Sequence, residues 1–431
     1  MKIVLVGSGA REHAIAEQLS KSASLYSIME KKHPGIASLS QEVLLCNPTD
    51  KERVVSWCRE KGIELGFVSP DGLLEKGVTD ILASAGMKVA SPSREAARIE
   101  WDKGYARTLL QKHNVSGLPA FRVVINAEEA SAFLAQHKEV VVKPLGLTGG
   151  KGVRVMGEHL HTEQDVLDYV SELLKKDKQA LLEEKLDGEE FSLQAFSDGE
   201  RLSVMPPVQD HKRAFVNDAG PNTGGMGSYS TGRLLPFMEL KDLEEAKSIM
   251  QQTIDAMRAE GNPFRGILYG GFMITREGVK LIEYNARFGD PEAMNVLMVL
   301  RTQLSEILQS IAEGRLIPVA FSTNCTVVKY LVPEGYPENG KKDCRISIDN
   351  KAIWECGGKT FLGSVYESDG QIYTTPSRTA AVAAQDASLE QAEEKAECCT
   401  RAIQGPLWHR PDIGTPLLIR KRTEHMRRLN R

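Results

Sequence analysis

Short apolar runs alternate with segments of helical periodicity along the first hundred residues. The runs at residues 3–6, 26–29, 65–68 and 87–90 have the length of buried strands. Amphipathic helices are indicated at residues 11–20, 54–61 and 78–85. Because strands that alternate with helices form parallel sheets, the pattern predicts a doubly wound α/β domain over residues 1–100.

Beyond residue 100 the pattern breaks into smaller blocks. A helix containing Trp101 and Leu109 precedes strands at 122–124, 140–143 and 153–155 and a helix at 127–136. This α+β block, about residues 117–187, has the size of a lid subdomain within a larger unit at 101–320. Residues 321–431 are strand-rich with one late helix at 389–403, which predicts a C-terminal domain.

Composition narrows the class of protein. The chain has 431 residues, more than one hydrophobic core usually spans, so several domains are expected. A net charge of −4 does not favour a nucleic-acid partner, and no apolar stretch approaches the length of a membrane span. The basic residues between 421 and 431 are interpreted as a solvated end.

The seven cysteines are odd in number and none forms a CxxC pair. A structural zinc site or a disulfide framework is therefore not expected, and a reducing compartment fits. The first residues lack the pattern of a signal peptide, so the sequence predicts a cytoplasmic protein.

The first candidate site is the segment from Gly7 to His13, between the first strand and the first helix. Its glycines allow close backbone approach, and a helix N-terminus offers unpaired N–H groups to an anion. The dinucleotide fingerprint requires glycine where Glu12 stands, although Glu30 lies where a ribose-binding acid would fall. A phosphate-bearing small molecule with Arg11 as counter-charge is favoured; the alternatives are a dinucleotide or a plain turn.

Two further segments suit a nucleotide. Lys143 ends a strand and precedes a glycine-rich turn with Lys151, which lacks Walker A spacing but could close over phosphates as a lid. At residues 181–191 an apolar strand runs into acidic residues and a turn, which could form a hinge beside an adenine. Either segment alone is also compatible with an ordinary solvated turn.

The strand at residues 280–287 carries the clearest metal candidates. Alternation places Glu283, Asn285 and Arg287 on one face. A carboxylate and an amide oxygen two residues apart suit Mg²⁺ shared with phosphates, and Arg287 could neutralise a phosphoryl group in transfer.

A polar cluster at residues 209–213 precedes a Gly/Pro/Asn-rich segment at 218–229, which predicts a long functional loop. His211 has no second histidine at ligand spacing and is not interpreted as a metal ligand or a base.

In this order the segments resemble the glycinamide ribonucleotide synthetase (phosphoribosylamine–glycine ligase) family of the ATP-grasp superfamily, over essentially the whole chain. The stretches that carry the resemblance are residues 9–13, 209–213, 220–227, 287–292 and 409–414, and Pro221-Asn222-Thr223-Gly224-Gly225-Met226-Gly227 is the most specific. The resemblance implies an N-terminal domain, an ATP-grasp core with a small lid, and a C-terminal domain.

The resemblance also implies residue roles. It implies Glu283 and Asn285 as ligands of Mg²⁺ or Mn²⁺, and Arg287, Lys212 and Asp210 as catalytic residues. It implies ATP contacts from Lys103, Lys143, Lys151, Glu183, Glu184, Leu186 and Glu190. It implies substrate contacts from Gly9, Arg11, Glu12, Pro70, Asp71, Arg213, Pro221, Asn222, Thr223, Gly224, Gly225, Gly289 and Asp290.

The implied reaction joins glycine to 5-phosphoribosylamine, with ATP cleaved to ADP and phosphate through a glycyl phosphate, in purine biosynthesis. This chain departs from the family pattern at Asp71, where many members have Glu, and in the lid at Pro144, Leu145 and Thr148. Two alternatives remain. Another ATP-grasp carboxylate–amine ligase should lack the segment 221–227, and a non-catalytic nucleotide-binding regulator would tolerate loss of Glu283 and Asn285.

Overall fold

The computed structural model describes residues 1–148 and 152–429. The chain begins with five parallel strands: β1 (Lys2–Val6), β2 (Ser24–Met29), β3 (Glu42–Leu45), β4 (Leu65–Val68) and β5 (Lys88–Val89). They lie in the order β3-β2-β1-β4-β5. Between them run α1 (Ala10–Ser20), α2 (Pro34–Leu39), α3 (Lys51–Lys61), α4 (Asp71–Glu75) and α5 (Val78–Ser84). The predicted N-terminal parallel sheet is confirmed, and β1 lies at its centre, paired with β2 on one side and with β4 on the other.

The single helix predicted around Trp101 is wrong, because the structure has two helices there. These are α6 (Arg98–Trp101) and α7 (Lys103–Lys112). Asp102 between them has extended backbone, with φ −130° and ψ 91°, and its side chain accepts a hydrogen bond from the backbone N–H of Tyr105. An aspartate that caps the second helix in this way interrupts the first.

A four-stranded antiparallel sheet with two helices follows. Its elements are β6 (Phe121–Val124), α8 (Ala127–Leu134), β7 (Val140–Lys143), β8 (Arg154–Val155), α9 (Glu163–Asp177) and β9 (Ala180–Glu184). The strand order is β6-β9-β7-β8. Val142, Val166, Val170 and Leu182 belong to a buried cluster confined to this block. A block with its own apolar core can move as one body.

The next elements build the middle of the molecule. They are β10 (Gly188–Asp198), β11 (Leu202–Val204), β12 (Gln209–Asp210), β13 (Arg213–Phe215), β14 (Ala219–Asn222), β15 (Gly227–Ser230), α10 (Leu240–Ala259), β16 (Arg265–Thr275), β17 (Gly278–Asn285), α11 (Glu292–Val299) and α12 (Leu304–Ala312). An antiparallel sheet has the order β11-β10-β16-β17, so β17 is an edge strand. The long loop predicted at 218–229 is shorter than expected, because β14 pairs with β13 and β15 pairs with β12.

The C-terminal part is strand-rich, as predicted. It comprises β18 (Cys325–Pro333), β19 (Arg345–Ile348), α13 (Asn350–Glu355), β20 (Gly358–Leu362), β21 (Val365–Ser368), β22 (Gln371–Thr374), β23 (Ala380–Asp386), α14 (Leu389–Thr400), β24 (Ile403–Gln404), β25 (Leu407–Trp408) and α15 (Pro416–Leu429). One sheet runs β12-β15-β18-β23-β20. Strands from the middle and the end of the chain therefore share one hydrogen-bonded sheet.

Two sequence expectations are wrong in this region. The basic end is helical up to Leu429 rather than a solvated tail: Met426 of α15 is buried, and Arg422 pairs with Glu189 at 3.2 Å and with Asp218 at 2.5 Å. Arg422 therefore serves intramolecular ion pairs, which charge counting does not reveal, whereas Lys421, Arg427 and Arg428 are exposed.

The second concerns the cysteines, because Cys356 and Cys398 form a disulfide. They lie 42 residues apart, beyond any CxxC spacing, and meet because α13 packs on α14. Among the described residues, no helix is long and apolar enough to cross a membrane.

Candidate active site

The carboxyl ends of β1 and β4 form the first part of the site, because neighbouring parallel strands end at the same sheet edge. Gly7 and Gly9 follow β1 with φ of 129° and 148°, values that favour glycine. Pro70 and Asp71 follow β4 and begin α4. A Cβ atom on Gly7 would lie only 2.6 Å from Pro70 Cδ, so glycine is needed for the two turns to touch.

Arg11 and Glu12 are both buried at this edge. Arg11 Nε lies 2.8 Å from Glu12 Oε1, which also accepts a hydrogen bond from the Ser69 hydroxyl at 2.6 Å. Arg11 Nη1 donates to the carbonyl of Phe288 at 3.0 Å. These contacts bring the N-terminal turn to the segment that follows β17.

Asp71 lies in the electrostatic field of both Arg11 and Arg287. Burial raises the pKa of its carboxyl, but the charges of Arg287 and Arg11 lower that pKa more, so the net shift is downward. Asp71 is therefore ionised at neutral pH between two guanidinium groups. The predicted sugar-phosphate residues and Arg287 share one electrostatic environment.

Glu283 lies on the edge strand β17 among cationic side chains. Burial raises the pKa of its carboxyl, but Lys212, Lys143, Lys103 and Arg287 together bring the pKa below its ordinary value. Lys212 Nζ lies 4.0 Å from Glu283 Oε1 and 3.8 Å from Glu190 Oε2. Four cations around one accessible carboxylate form a surface suited to a polyphosphate and its counter-ion.

Asn285 and Arg287 are held beside Glu283. Arg287 Nη2 donates to Asn285 Oδ1 at 3.0 Å and lies 3.0 Å from Glu100 Oε1. The backbone N–H of Ala286 donates to the other oxygen of Glu100 at 2.8 Å. Glu100, on α6, therefore orients the guanidinium of Arg287.

The donor chemistry of Glu283 and Asn285 fits a divalent cation. Both residues are on the same side of the edge strand, and Glu283 is ionised at neutral pH. A carboxylate and an amide oxygen are hard ligands, and a metal that shares phosphate oxygens needs few protein ligands.

Lys143 is held by a buried ion-pair triad. Lys143 Nζ lies 2.6 Å from one oxygen of Glu183, and Arg107 Nε lies 2.5 Å from the other. Burial raises the pKa of Glu183, but Arg107 and Lys143 lower it more, to about 2. Arg107 Nη2 also donates to the carbonyls of Leu281 and Ile282 on β17. The Glu183 side chain thus contacts Arg107 and Lys143 rather than facing a base.

The other residues predicted to contact ATP belong to several elements of the fold. Lys103 Nζ donates to the Gly146 carbonyl at 2.8 Å, and Glu184 Oε1 accepts from the Ala120 N–H at 2.7 Å. Leu186 lies between β9 and β10, and Glu190 lies on β10. Lys151, with Gly149 and Gly150, lies outside the described residues.

The segment 221–225 contacts Lys212 and Asp210. Pro221 and Asn222 end β14, and Thr223 anchors the turn: its N–H and its hydroxyl both donate to the Lys212 carbonyl, at 2.7 and 2.8 Å. Arg213 Nη1 donates to the Gly220 carbonyl at 3.0 Å. A Cβ atom on Gly225 would lie 2.8 Å from Asp210 Oδ1, so this turn touches the candidate catalytic acid.

Asp210 faces a second acid, Glu292. Burial and the charge of Glu292 raise the pKa of Asp210 well above its ordinary value, and Lys212 offsets only part of that rise. Glu292 in turn accepts a hydrogen bond from the Tyr269 hydroxyl at 2.9 Å. A buried and a partly buried carboxyl group that share one favoured proton can hold or pass that proton.

Gly289 and Asp290 connect these parts. The Gly289 N–H donates to Gln194 Oε1 at 2.8 Å, and Asp290 accepts from the Tyr330 hydroxyl at 2.6 Å.

Sequence reasoning missed Glu100, Arg107, Glu292 and Arg378 as contributors to the site. Glu292 stands in a recognised motif, whereas the other three are isolated charges whose partners are distant in sequence.

The fold and the arrangement of cations around Glu283 define an ATP-grasp protein. The family models for phosphoribosylglycinamide synthetase match this chain at residues 1–100 (N domain), 101–293 (ATP-grasp domain) and 326–416 (C domain). The chain belongs to the phosphoribosylglycinamide synthetase family.

Curated relatives match over the full length. The phosphoribosylamine–glycine ligase of Methanothermobacter thermautotrophicus is 47% identical over 99% of each chain. That of Pyrococcus horikoshii is 44% identical over 100% of this chain and 98% of its own.

Solved structures agree in fold. The phosphoribosylamine–glycine ligase of Thermotoga maritima superposes with a TM-score of 0.80 at 26% identity, over 96% of this chain and all of that one. The biotin carboxylase domain of Hydrogenobacter thermophilus 2-oxoglutarate carboxylase gives a TM-score of 0.73 at 16% identity, over 97% and 92%, which shows the fold alone.

Proposed function

We propose that this chain is the enzyme that ligates glycine to 5-phosphoribosylamine in purine biosynthesis, with ATP cleaved to ADP and phosphate. The observation that carries the proposal is the convergence of Lys103, Lys143, Lys212 and Arg287 on Glu283, next to the segment 221–225. Cations gathered around an ionised carboxylate suit phosphoryl transfer from a nucleotide. The full-length relatives are named for this ligation.

Glu283 and Asn285 would hold Mg²⁺ or Mn²⁺ in this proposal. The metal would supply charge neutralisation between the ATP phosphates. Lys143 is oriented by its ion pair with the buried Glu183, and Lys103 by its hydrogen bond to the Gly146 carbonyl. Both ammonium groups would bind the ATP phosphates. The remaining nucleotide contacts would come from Lys151, Glu184, Leu186 and Glu190.

The ligation itself would proceed through a glycyl phosphate. The glycine carboxylate attacks the γ-phosphorus, and ADP leaves. Lys212 and Arg287 stabilise the charge on the phosphoryl group in transfer. The amine of phosphoribosylamine then attacks the acyl carbon and phosphate leaves, so the amine must lose a proton. Asp210, paired with Glu292, is placed to hold that proton.

The sugar phosphate and glycine would bind to different groups of residues. The turns at Gly9–Glu12 and Pro70–Asp71 would bind the sugar phosphate, with Arg11 as its counter-charge. A second group of residues would surround glycine and the reacting carbons: Arg213, Pro221, Asn222, Thr223, Gly224, Gly225, Gly289 and Asp290. Residues 117–187 would act as a lid over an ATP-grasp unit at 101–320, followed by a C-terminal domain at 321–431. The enzyme would act in the cytoplasm.

ADP release tests the proposal. Purified protein is supplied with Mg-ATP, glycine and freshly made phosphoribosylamine, and each is omitted in turn. ADP formation that requires all three is the expected result. Release without glycine would shift the function to another ATP-grasp ligase, and ATP binding without turnover would indicate a regulator.

A further inference from the structure

Arg378 enters the site from the C-terminal domain. It lies just before β23, and its Nη1 donates to the carbonyls of Gly224 at 2.6 Å and Gly225 at 3.0 Å. These glycines form the turn that touches Asp210. A residue more than 150 positions away in sequence therefore holds this turn.

The same guanidinium also binds the segment after β17. Nη1 donates to the Asp290 carbonyl at 3.2 Å, and Nη2 lies 3.0 Å from Asp290 Oδ2. Its carbon lies 4.3 Å from the centre of the Tyr330 ring, and the Tyr330 hydroxyl donates to Asp290 Oδ1 at 2.6 Å. Arg378 thus donates hydrogen bonds both to the turn at Gly224 and Gly225 and to the segment after β17.

The turn is also held by Lys212, which lies between β12 and β13. Thr223 donates twice to the Lys212 carbonyl, and the Gly225 N–H donates to the Thr223 hydroxyl at 3.0 Å. Glycine is required at position 225, where φ is +108° and a Cβ atom would lie 2.6 Å from Pro291 Cδ. The turn is therefore clamped between Lys212 and Arg378, with little freedom to change shape.

A purely structural arginine would be expected to bind its own domain. The hydrogen bonds and the ion pair of the Arg378 side chain are instead with Gly224, Gly225 and Asp290, three of the residues proposed to surround glycine. A planar fork that meets several acceptors at once fixes geometry in a way that a lysine cannot.

We propose that Arg378 is a positioning residue, through which the C-terminal domain sets the shape of the glycine-binding turn at residues 223–225. This rests on the proposed function, since it assigns the amino-acid substrate to that turn. It predicts that the turn loses its shape, and glycine its affinity, when the fork is removed even if the charge remains.

Arg378→Lys tests the proposal kinetically. The KM for glycine should rise about 10- to 100-fold, the scale of a small misplacement at a reacting centre, while the KM for ATP stays within about twofold. Arg378→Met should exceed this, and Tyr330→Phe, which removes one hydrogen bond to Asp290, should fall below it. Arg401→Lys, an exposed change in the same domain, is the matched control. Equal changes in both KM values, or none, would overturn the assignment.

Amide hydrogen exchange separates this proposal from the proposed function. In Arg378→Lys the amides of residues 223–225 should exchange faster, while β1 and β16 stay as in the unaltered protein. That result stands whatever reaction the enzyme catalyses. Unchanged exchange at 223–225, or faster exchange throughout, would refute the clamp even if glycine ligation is demonstrated.

Discussion

Arg287 and Glu100 form a buried ion pair at the centre of the candidate site, with Nη2 and Oε1 separated by 3.0 Å. The side chain of Glu100 is only 4% exposed, whereas that of Arg287 is 17% exposed. Glu100 also accepts the Ala286 N–H, so its position is set by the backbone that leads to Arg287. The less exposed Glu100 carboxylate therefore orients the more exposed Arg287 guanidinium.

Glu100→Gln should therefore lower turnover without removing any group that touches substrate. A misplacement of about 1 Å at a reacting centre can cost about 100-fold in rate, so kcat should fall by up to about 100-fold if the charge of Glu100 orients Arg287. Steady-state kinetics with all substrates saturating would measure this. The exposed Glu95→Gln, in the same segment, should leave kcat unchanged. A normal kcat in Glu100→Gln would show that Arg287 keeps its orientation alone.

Glu283→Gln should weaken metal-dependent nucleotide binding and sharply reduce turnover. The amide keeps the shape of the side chain but removes the charge that a divalent cation needs. Titration of ATP with and without Mg²⁺ should show a smaller gain in affinity from the metal than in the unaltered protein. Glu277→Gln, in the exposed turn before β17, is the matched control. An unaltered metal dependence in Glu283→Gln would remove Glu283 from the metal site.

Arg11→Ala should act mainly on the amino sugar. Arg11 lies at the carboxyl ends of β1 and β4, and its partner Phe288 adjoins the reacting centre. If Arg11 grips the phosphate, the KM for phosphoribosylamine should rise about 10- to 100-fold, as for loss of a charged contact, with little change for ATP. Lys21→Ala, on the exposed end of α1, is the control. An unchanged KM would place the sugar phosphate elsewhere.

The local elements of the site were predictable because they depend on neighbours in sequence. The apolar run before Gly7 and the alternation around Glu283 gave β1 and β17 within one or two residues at most boundaries. The break at Asp102 was missed, since a capping side chain outweighed the apolar spacing on both sides.

Contacts between distant segments were not predictable. The sequence did not predict that the Glu183 carboxylate lies between Arg107 and Lys143, and only the pairing of β9 with both β6 and β7 reveals that burial. Arg378 follows no motif, because its role depends on the C-terminal sheet bringing it to Gly224. A single sequence does not show which surface charge meets a partner hundreds of residues away.

His13 predicts how stability depends on pH. Its Nδ1 accepts the Leu362 N–H at 2.9 Å, which a protonated ring could not do, and burial and the nearby His33 lower its pKa from 6.5 to about 4, against a smaller opposing effect of Glu17. Between pH 6.5 and 4 the unfolded chain binds a proton here that the folded chain does not, so stability falls with falling pH by at most about 1.4 kcal/mol per unit. His13→Asn retains an acceptor without titrating, so its melting temperature should fall less over this range than that of the unaltered protein. The exposed His161→Asn should behave like the unaltered protein; identical slopes in all three would place the pH dependence elsewhere.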